Sequence, residues 1–398
     1  MDERVSAMIE EMTPRERFKR IMDFKKPDRL LWMEDQVDTT TLRWIREGLP
    51  LDQVIQSSYD LAYNGGLWLV LPTSYTFDIS KYFGFLNVAI VSKTTVTLDL
   101  GPLPRYPLRI IKETEHRILC RDPLGGKIEY SKTDYAMPHF HEFPVKNMKD
   151  WAEYKKRLDP SDPRRYPKDY SNDEYTQIFE ESTIPTLIVV NGFYGFGRGV
   201  MGTADFVPAF YMDPELVHDM MNTYADFLIA TLREVVEALK SRVDYVYWWE
   251  DFAFGRGPNI SPKVFKEFIL PNLKKVITFL KKNQMDLIIM DSDGDFRPLM
   301  PLLWEGGING TWPLEVNAGM DGVELRKKYG KTWRFIGNID KRTLTKGKEA
   351  IKHEIDRKVP YLIEEGGYIP GLDHTIPPDI PLENFRFYAS YLNKVLDT

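Results

Sequence analysis

The sequence predicts a closed parallel α/β barrel of the (β/α)8 kind, a TIM barrel, with a β-rich insertion. Two observations predict the barrel. Short apolar runs alternate with amphipathic helical stretches through most of the 398 residues, and the number of such units favours a closed barrel over an open sheet. The runs also end alike: Glu34, Asp35, Asn191, Glu250, Asp251, Asp291, Asp293, Glu315, Asn338 and Asp340 all stand just after one. In a barrel those positions converge on a single face, where ligands bind.

Taken in order, Thr13-Pro14-Arg15-Glu16 opens a helix with a capping box and a proline at its first turn. Leu30 to Met33 reads as a first strand and Leu67 to Leu71 as a second. From about Val88 to Phe143 the texture turns β-branched, with two strands around a Pro/Gly turn between Ile118 and Tyr130. This stretch is too short and too polar for its own core, so it is an insertion in one domain spanning residues 1–398. Strands follow at Thr186 to Val190, Tyr245 to Trp249, Leu287 to Met290, Ile308 to Trp312, Phe335-Ile336 and Tyr368-Ile369. Helices between them start at Asp213-Pro214 and Ser261-Pro262 and stop at Gly330 and Gly366; a last helix begins near Pro381.

The totals bound the function. A net charge of −6 with interspersed signs, and no basic block, argues against nucleic acid. The one cysteine, Cys120, excludes a disulfide framework and a cysteine-cluster metal site. No run reaches the ~18 apolar residues of a membrane span, and the charged start does not read as a signal peptide. A cytoplasmic protein is the expectation.

The run Asp286 to Asp295 is the strongest chemical signal. Its apolar strand delivers Asp291, Asp293 and Asp295 to the strand end, and carboxylates placed there need a charged or hydrogen-bonding partner. His374, beside Asp373 in a proline-braced loop after the last strand, reaches the same face. Glu250, Asp291, Asp293 and His374 are therefore the expected catalytic groups. Asn191, Phe193, Tyr194, Arg198, Trp249 and Glu315 are the expected substrate wall, aromatic enough for a flat organic ligand.

Other motifs are weighed against this site. Gly197-Arg-Gly-Val-Met-Gly202 matches a dinucleotide pattern but lacks the acidic second strand end, and reads better as a flexible pocket loop. Asp291-Ser-Asp-Gly resembles the haloacid dehalogenase phosphatase signature, yet it lies late in the chain and ends in Asp295 where that signature has threonine. His139-Phe-His141 sets two imidazoles on one side of an extended segment, and packing explains them more simply than metal binding.

Several segments in order resemble the uroporphyrinogen decarboxylase superfamily. They are Thr13-Pro-Arg-Glu-Arg, Pro27-Asp-Arg29, Asp291-Ser-Asp-Gly, Glu315-Val-Asn-Ala-Gly-Met-Asp321, Gly337-Asn-Ile-Asp340 and His374-Thr-Ile-Pro-Pro-Asp. The resemblance implies the same barrel and one of two activities. True decarboxylases carry an Arg-Gln-Ala-Gly-Arg element after the first strand that grips tetrapyrrole carboxylates; here Met33-Glu34-Asp35-Gln36-Val37 stands instead. The other branch passes methyl groups to or from a corrinoid protein. Its zinc-binding His-x-Cys pair is replaced by Asp291 and Asp293, with Leu372 near the third ligand position, so any zinc is held by another set. The insertion and Met137 to Trp151 look like the O-demethylase members. The resemblance thus implies methyl transfer from a methoxylated aromatic compound to the corrinoid (cobalamin) of a partner protein. A decarboxylase is the alternative, and a phosphatase or a non-enzymatic binding barrel is more distant. A homodimer is left open.

Overall fold

The computed structural model describes residues 11–35, 38–50, 54–55, 76–77, 79–87, 94–132, 138–255 and 257–397. The expected strand at Leu67 to Leu71 and the start of the insertion at residues 88–93 lie outside the described residues.

A seven-stranded sheet forms the frame, and every neighbouring pair in it is parallel. Its order is Tyr368–Ile369, Arg334–Ile336, Gly310–Thr311, Ile288–Asp291, Tyr245–Trp249, Leu187–Asn191, Thr95–Thr97. Met33–Glu34 pairs in parallel with Leu86–Asn87. The Met33 N–H donates to Pro370 O at 3.0 Å, which joins this pair to the end of the larger sheet. The result is the parallel α/β barrel that the strand–helix alternation predicts.

Strand alternation sorts the side chains into two layers. Val246, Trp248, Ile288 and Met290 face the outer helices within the main core. Leu187, Tyr245, Tyr247, Ile289, Trp312, Ile336 and Ile369 fill the interior, with Phe18, Ile21 and Met22 of the helix Pro14–Met22. That helix sits across the amino ends of the strands. Phe18 lies against the Tyr245 ring (centroids 5.2 Å apart), and Arg15 bonds to Asp244 and to the Arg242 carbonyl. Thr13 and Glu16 form the capping box that the sequence announces.

One boundary differs from the sequence reading. Thr95–Thr97, inside the stretch expected to be insertion, is a barrel strand in register with Leu187 to Val189. β-Branched residues suit either sheet, so composition did not separate them. The antiparallel element itself is the four-stranded sheet Arg109–Glu113, Lys127–Ser131 and their neighbours Arg117–Arg121 and His139–Glu142.

Candidate active site

Pleat and register place a layer of side chains at the carboxyl ends of the strands. Asn191 pairs with Trp249, and Trp249 with Asp291, on three adjacent strands. By alternation all three continue the inward-facing rows of Val189, Tyr247 and Ile289 below them.

Asp291 is buried, and the Tyr247 hydroxyl donates a short hydrogen bond to its Oδ2. Burial pushes its pKa well up, the nearby Asp251 and Asp293 carboxylates push further, and the Tyr247 bond only partly offsets them. Asp291 therefore keeps its proton to a higher pH than an exposed carboxyl does.

Asp293, Glu315 and His374 converge. Each offers a donor atom within 4.8 Å of the others, and all three side chains are half-buried. The His374 Nε2 lies 3.2 Å from Asp293 Oδ1. On the other side of the ring, the Thr375 backbone N–H donates to Nδ1 at 2.7 Å. An amide N–H can only donate, so Nδ1 is the acceptor and the neutral ring carries its proton on Nε2, facing Asp293. Burial opposes charging this imidazole, but the hydrogen-bonded Asp293 carboxylate raises its pKa overall. A second proton has to go to Nδ1, where the Thr375 hydroxyl, 2.8 Å away, can accept it in place of the Thr375 N–H. The Trp312 indole lies parallel to the imidazole, centroids 6.2 Å apart. The Gly294 N–H holds Glu315 Oε2 at 2.9 Å, and Lys341 Nζ is 4.0 Å from Oε1.

The structure gives other expected site residues different work. Glu250 is buried and accepts from the N–H groups of Phe193, Tyr194 and Gly195 and from Trp248 Nε1–H, at 2.8 to 3.3 Å. It caps the helix Phe193–Met201 from the neighbouring strand end; burial raises its pKa to about 7. Phe193 and Tyr194, expected in the substrate wall, are wholly buried in the main core, where Phe193 packs edge-on against Tyr224 and Tyr194 against Phe206. Arg198 is half-buried and paired with Asp251 at 2.7 Å. The glycine-rich segment is this helix and not a flexible loop. A Cβ on Gly197 would fall 2.1 Å from the Phe206 ring, and Gly202 takes a φ of +75° at the link to the next helix, so close packing and a left-handed turn require these two glycines. His139 and His141 lie edge to face at 4.5 Å on an outer strand of the antiparallel sheet and are not members of the three-donor cluster.

Sequence reasoning missed several groups. Tyr247 was visible only as one of an aromatic run; its place directly below Trp249 on the inward row is the signal that marks it. Lys341 and Thr375 gave no signal of their own. Asp373, buried, takes the N–H groups of Val316 and Lys341 at 2.9 and 3.1 Å and so fixes the loops carrying Glu315 and Lys341.

With this geometry in hand, a family model described as uroporphyrinogen decarboxylase (URO-D) matches residues 118–395. The chain belongs to the uroporphyrinogen decarboxylase family. It is 25% identical over 184 residues to a uroporphyrinogen decarboxylase of Nostoc sp., covering 45% of this chain and 48% of that protein. It is 26% identical over 192 residues to one of Legionella pneumophila, covering 46% and 50%. A match to the Rickettsia bellii protein is longer, 24% identical over 277 residues and covering 65% and 77%. The chain thus spans about half the length of the curated relatives it matches first. The family is enzymatic, and its match covers every member of the cluster just described.

Proposed function

We propose that the barrel mouth is an acid–base site of the decarboxylase kind, acting on an aromatic substrate that carries few carboxylates. The observation that carries this reading is the His374–Asp293 pair of fixed tautomer beside the buried carboxyl of Asp291. In such a reaction the bond from the substrate to its carboxylate breaks and the electron pair stays on the substrate carbon. A proton from the site then takes the place of the departing carbon dioxide. His374 and Asp291 are the groups here that hold a proton for that carbon. The names of the relatives support decarboxylation. The charge of the mouth limits the substrate. Asp293 and Glu315 face it as carboxylates and Lys341 lies beside Glu315, while Arg198 is occupied by Asp251 and Asp291 holds its proton. A tetrapyrrole with many carboxylates would be repelled.

The same acidity favours a second reading, methyl transfer from a methoxylated aromatic compound to a corrinoid carried by a partner protein. The corrinoid supplies the nucleophilic cobalt. This chain's part is to hold the arene and give a proton to the aryl oxygen as the methyl–oxygen bond breaks. Asp293, Glu315 and His374 would suit zinc in the other His374 tautomer, with Nδ1–H given to the Thr375 hydroxyl 2.8 Å away and Nε2 free, and the metal would supply Lewis acidity to the same oxygen.

Two assays run side by side test these readings. One measures carbon dioxide released from uroporphyrinogen and from smaller aromatic carboxylic acids. The other follows the cobalt spectrum of reduced corrinoid protein with a panel of methoxyarenes. Carbon dioxide release that falls about 10²- to 10⁴-fold in His374→Ala and Asp293→Asn supports the first reading. Methyl transfer without carbon dioxide replaces it with the second. Inactivity in both defeats both.

A further inference from the structure

We propose that a cavity between the antiparallel sheet and the helix Met148–Lys155 binds a phosphate monoester with a flat apolar body. The cavity measures about 480 Å³, and its walls include Tyr106, Arg109, Arg121, Glu142, Phe143 and Lys146. That volume is ordinary for a small-molecule site. None of these residues belongs to the three-donor cluster at the barrel mouth.

The sheet supplies a row of cations. Arg109 faces Arg121, Arg121 faces Lys127, and Lys127 faces Glu142. Residues directly opposed on antiparallel strands share a face, so three cations stand in line with one carboxylate at the end. Glu142 is already shared: its Oε2 lies 3.2 Å from Arg121 and its Oε1 3.5 Å from Lys127. Burial opposes its ionisation, but Lys127, Arg121 and Lys146 together hold its pKa below the ordinary 4.5. Arg109 is left opposite a like charge, an arrangement that costs stability unless an anion sits between the two. Among the described residues, no ion pair or hydrogen bond reaches the Arg109 guanidinium or the Lys146 ammonium. Asp150, the other carboxylate in the wall, accepts the Lys146 backbone N–H at 3.1 Å. Arg109, Arg121, Lys127 and Lys146 thus outnumber Glu142 and Asp150. The surplus matches a phosphate monoester, which carries about −1.5 to −2 near neutral pH, better than a single carboxylate. A guanidinium can give such a group two parallel N–H bonds.

The aromatic walls select the body of the ligand. Gly125 takes a φ of +96° in the turn between two strands, and a Cβ there would fall 2.9 Å from the Tyr106 ring. The missing side chain is what lets that ring stand at the wall. Arg157 lies over the same ring, 4.3 Å from its centroid. Phe143 stacks on Phe140, centroids 5.5 Å apart, and packs so closely on Gly202 that a Cβ there would lie 2.3 Å from it. Both rings are held by packing within the chain, so little ordering is needed when a flat ligand arrives. An inorganic anion would leave this surface unused.

Calorimetric titration of the full chain with phenyl phosphate, inorganic phosphate and benzoate tests the assignment, with melting curves in each ligand alongside. Phenyl phosphate is expected to bind about tenfold or more tightly than either of the others and to raise the melting temperature. Arg109 and Lys146 are exposed, so Arg109→Met/Lys146→Met should fold, as circular dichroism can confirm. That double variant should bind phenyl phosphate about tenfold or more weakly and lose the melting shift, while His374→Ala binds it like the parent. Inorganic phosphate or benzoate binding as tightly as phenyl phosphate overturns the proposed ligand class. Binding that survives the double variant, binding lost in His374→Ala, or no binding and no melting shift overturns the site.

Discussion

His374 owes its tautomer to the next residue in the chain and its raised pKa to a residue that follows a strand three positions away in the sheet. The Thr375 N–H fixes Nδ1 as an acceptor, and Asp293 raises the pKa of the ring. A raised histidine pKa stabilises the fold below its ordinary value of 6.5, and that stabilisation is lost as pH rises through the folded-state value. Asp293→Asn should therefore move the His374 imidazole resonances to a lower titration midpoint and remove that share of the pH dependence of melting. An unmoved midpoint would show that Asp293 is not its partner. Glu250 is the opposite case. Its carboxylate closes four buried donors, so Glu250→Ala should cost about 3 kcal/mol or more in a urea titration. Turnover of the fraction that remains folded should stay within about tenfold of the parent. At this scale position after a strand, a matter of order, marked Asp293, Glu315 and His374, which converge, but it equally marked Phe193 and Tyr194, which the core takes up. It did not show which of them cap helices and which meet substrate, because Glu250 and Asp293 have the same chemistry and differ only in what surrounds them.

Elements were legible wherever local chemistry and tertiary packing agree. The helix Pro214–Leu239 begins at the expected Asp213-Pro214, and Gly322–Tyr329 and Lys348–Glu365 end at the residue before their expected glycine stops. Phe193–Met201 was illegible for a physical reason. Three glycines make it a poor helix on its own, and what forms it is the Glu250 cap and the seat against Phe206. Both come from elsewhere in the chain, Glu250 from 57 residues away in its bond to Phe193. Gly197→Ala should accordingly destabilise the protein by about 1–3 kcal/mol through overpacking, although alanine is the better helix former. A denaturation midpoint that rises instead would show that Phe206 yields without cost. The antiparallel strands read correctly from their turn, while Thr95–Thr97 was absorbed into them because pairing partners are not written in composition.

At the scale of the whole molecule, closure depends on Glu34. Its carboxylate is buried and accepts the Leu372 N–H at 3.1 Å and the Tyr388 hydroxyl at 2.5 Å, tying the first strand to the segment after the last and to the final helix. Burial raises its pKa to about 8, well above the ordinary 4.5. The folded barrel thus holds a proton there that the unfolded chain releases. The stability this provides is full below about 4.5 and is lost as pH rises through about 8. Between those values the melting temperature of the parent should fall faster with pH than that of Glu34→Gln; parallel slopes would exclude Glu34 as the source. The barrel class was readable from alternation alone. This lock was not, since it joins residues 354 positions apart.

The helix Pro14–Met22 laid across the amino ends of the strands has a kinetic consequence. With Phe18, Ile21 and Met22 seated among Tyr245, Tyr247 and Ile289, the interior below Asp291 is filled. Traffic through the barrel is then one-way in neither direction: whatever enters at the mouth leaves by the same doorway. For the reaction proposed at the mouth, substrate and product would share a single threshold, and a bulky product should compete with fresh substrate there.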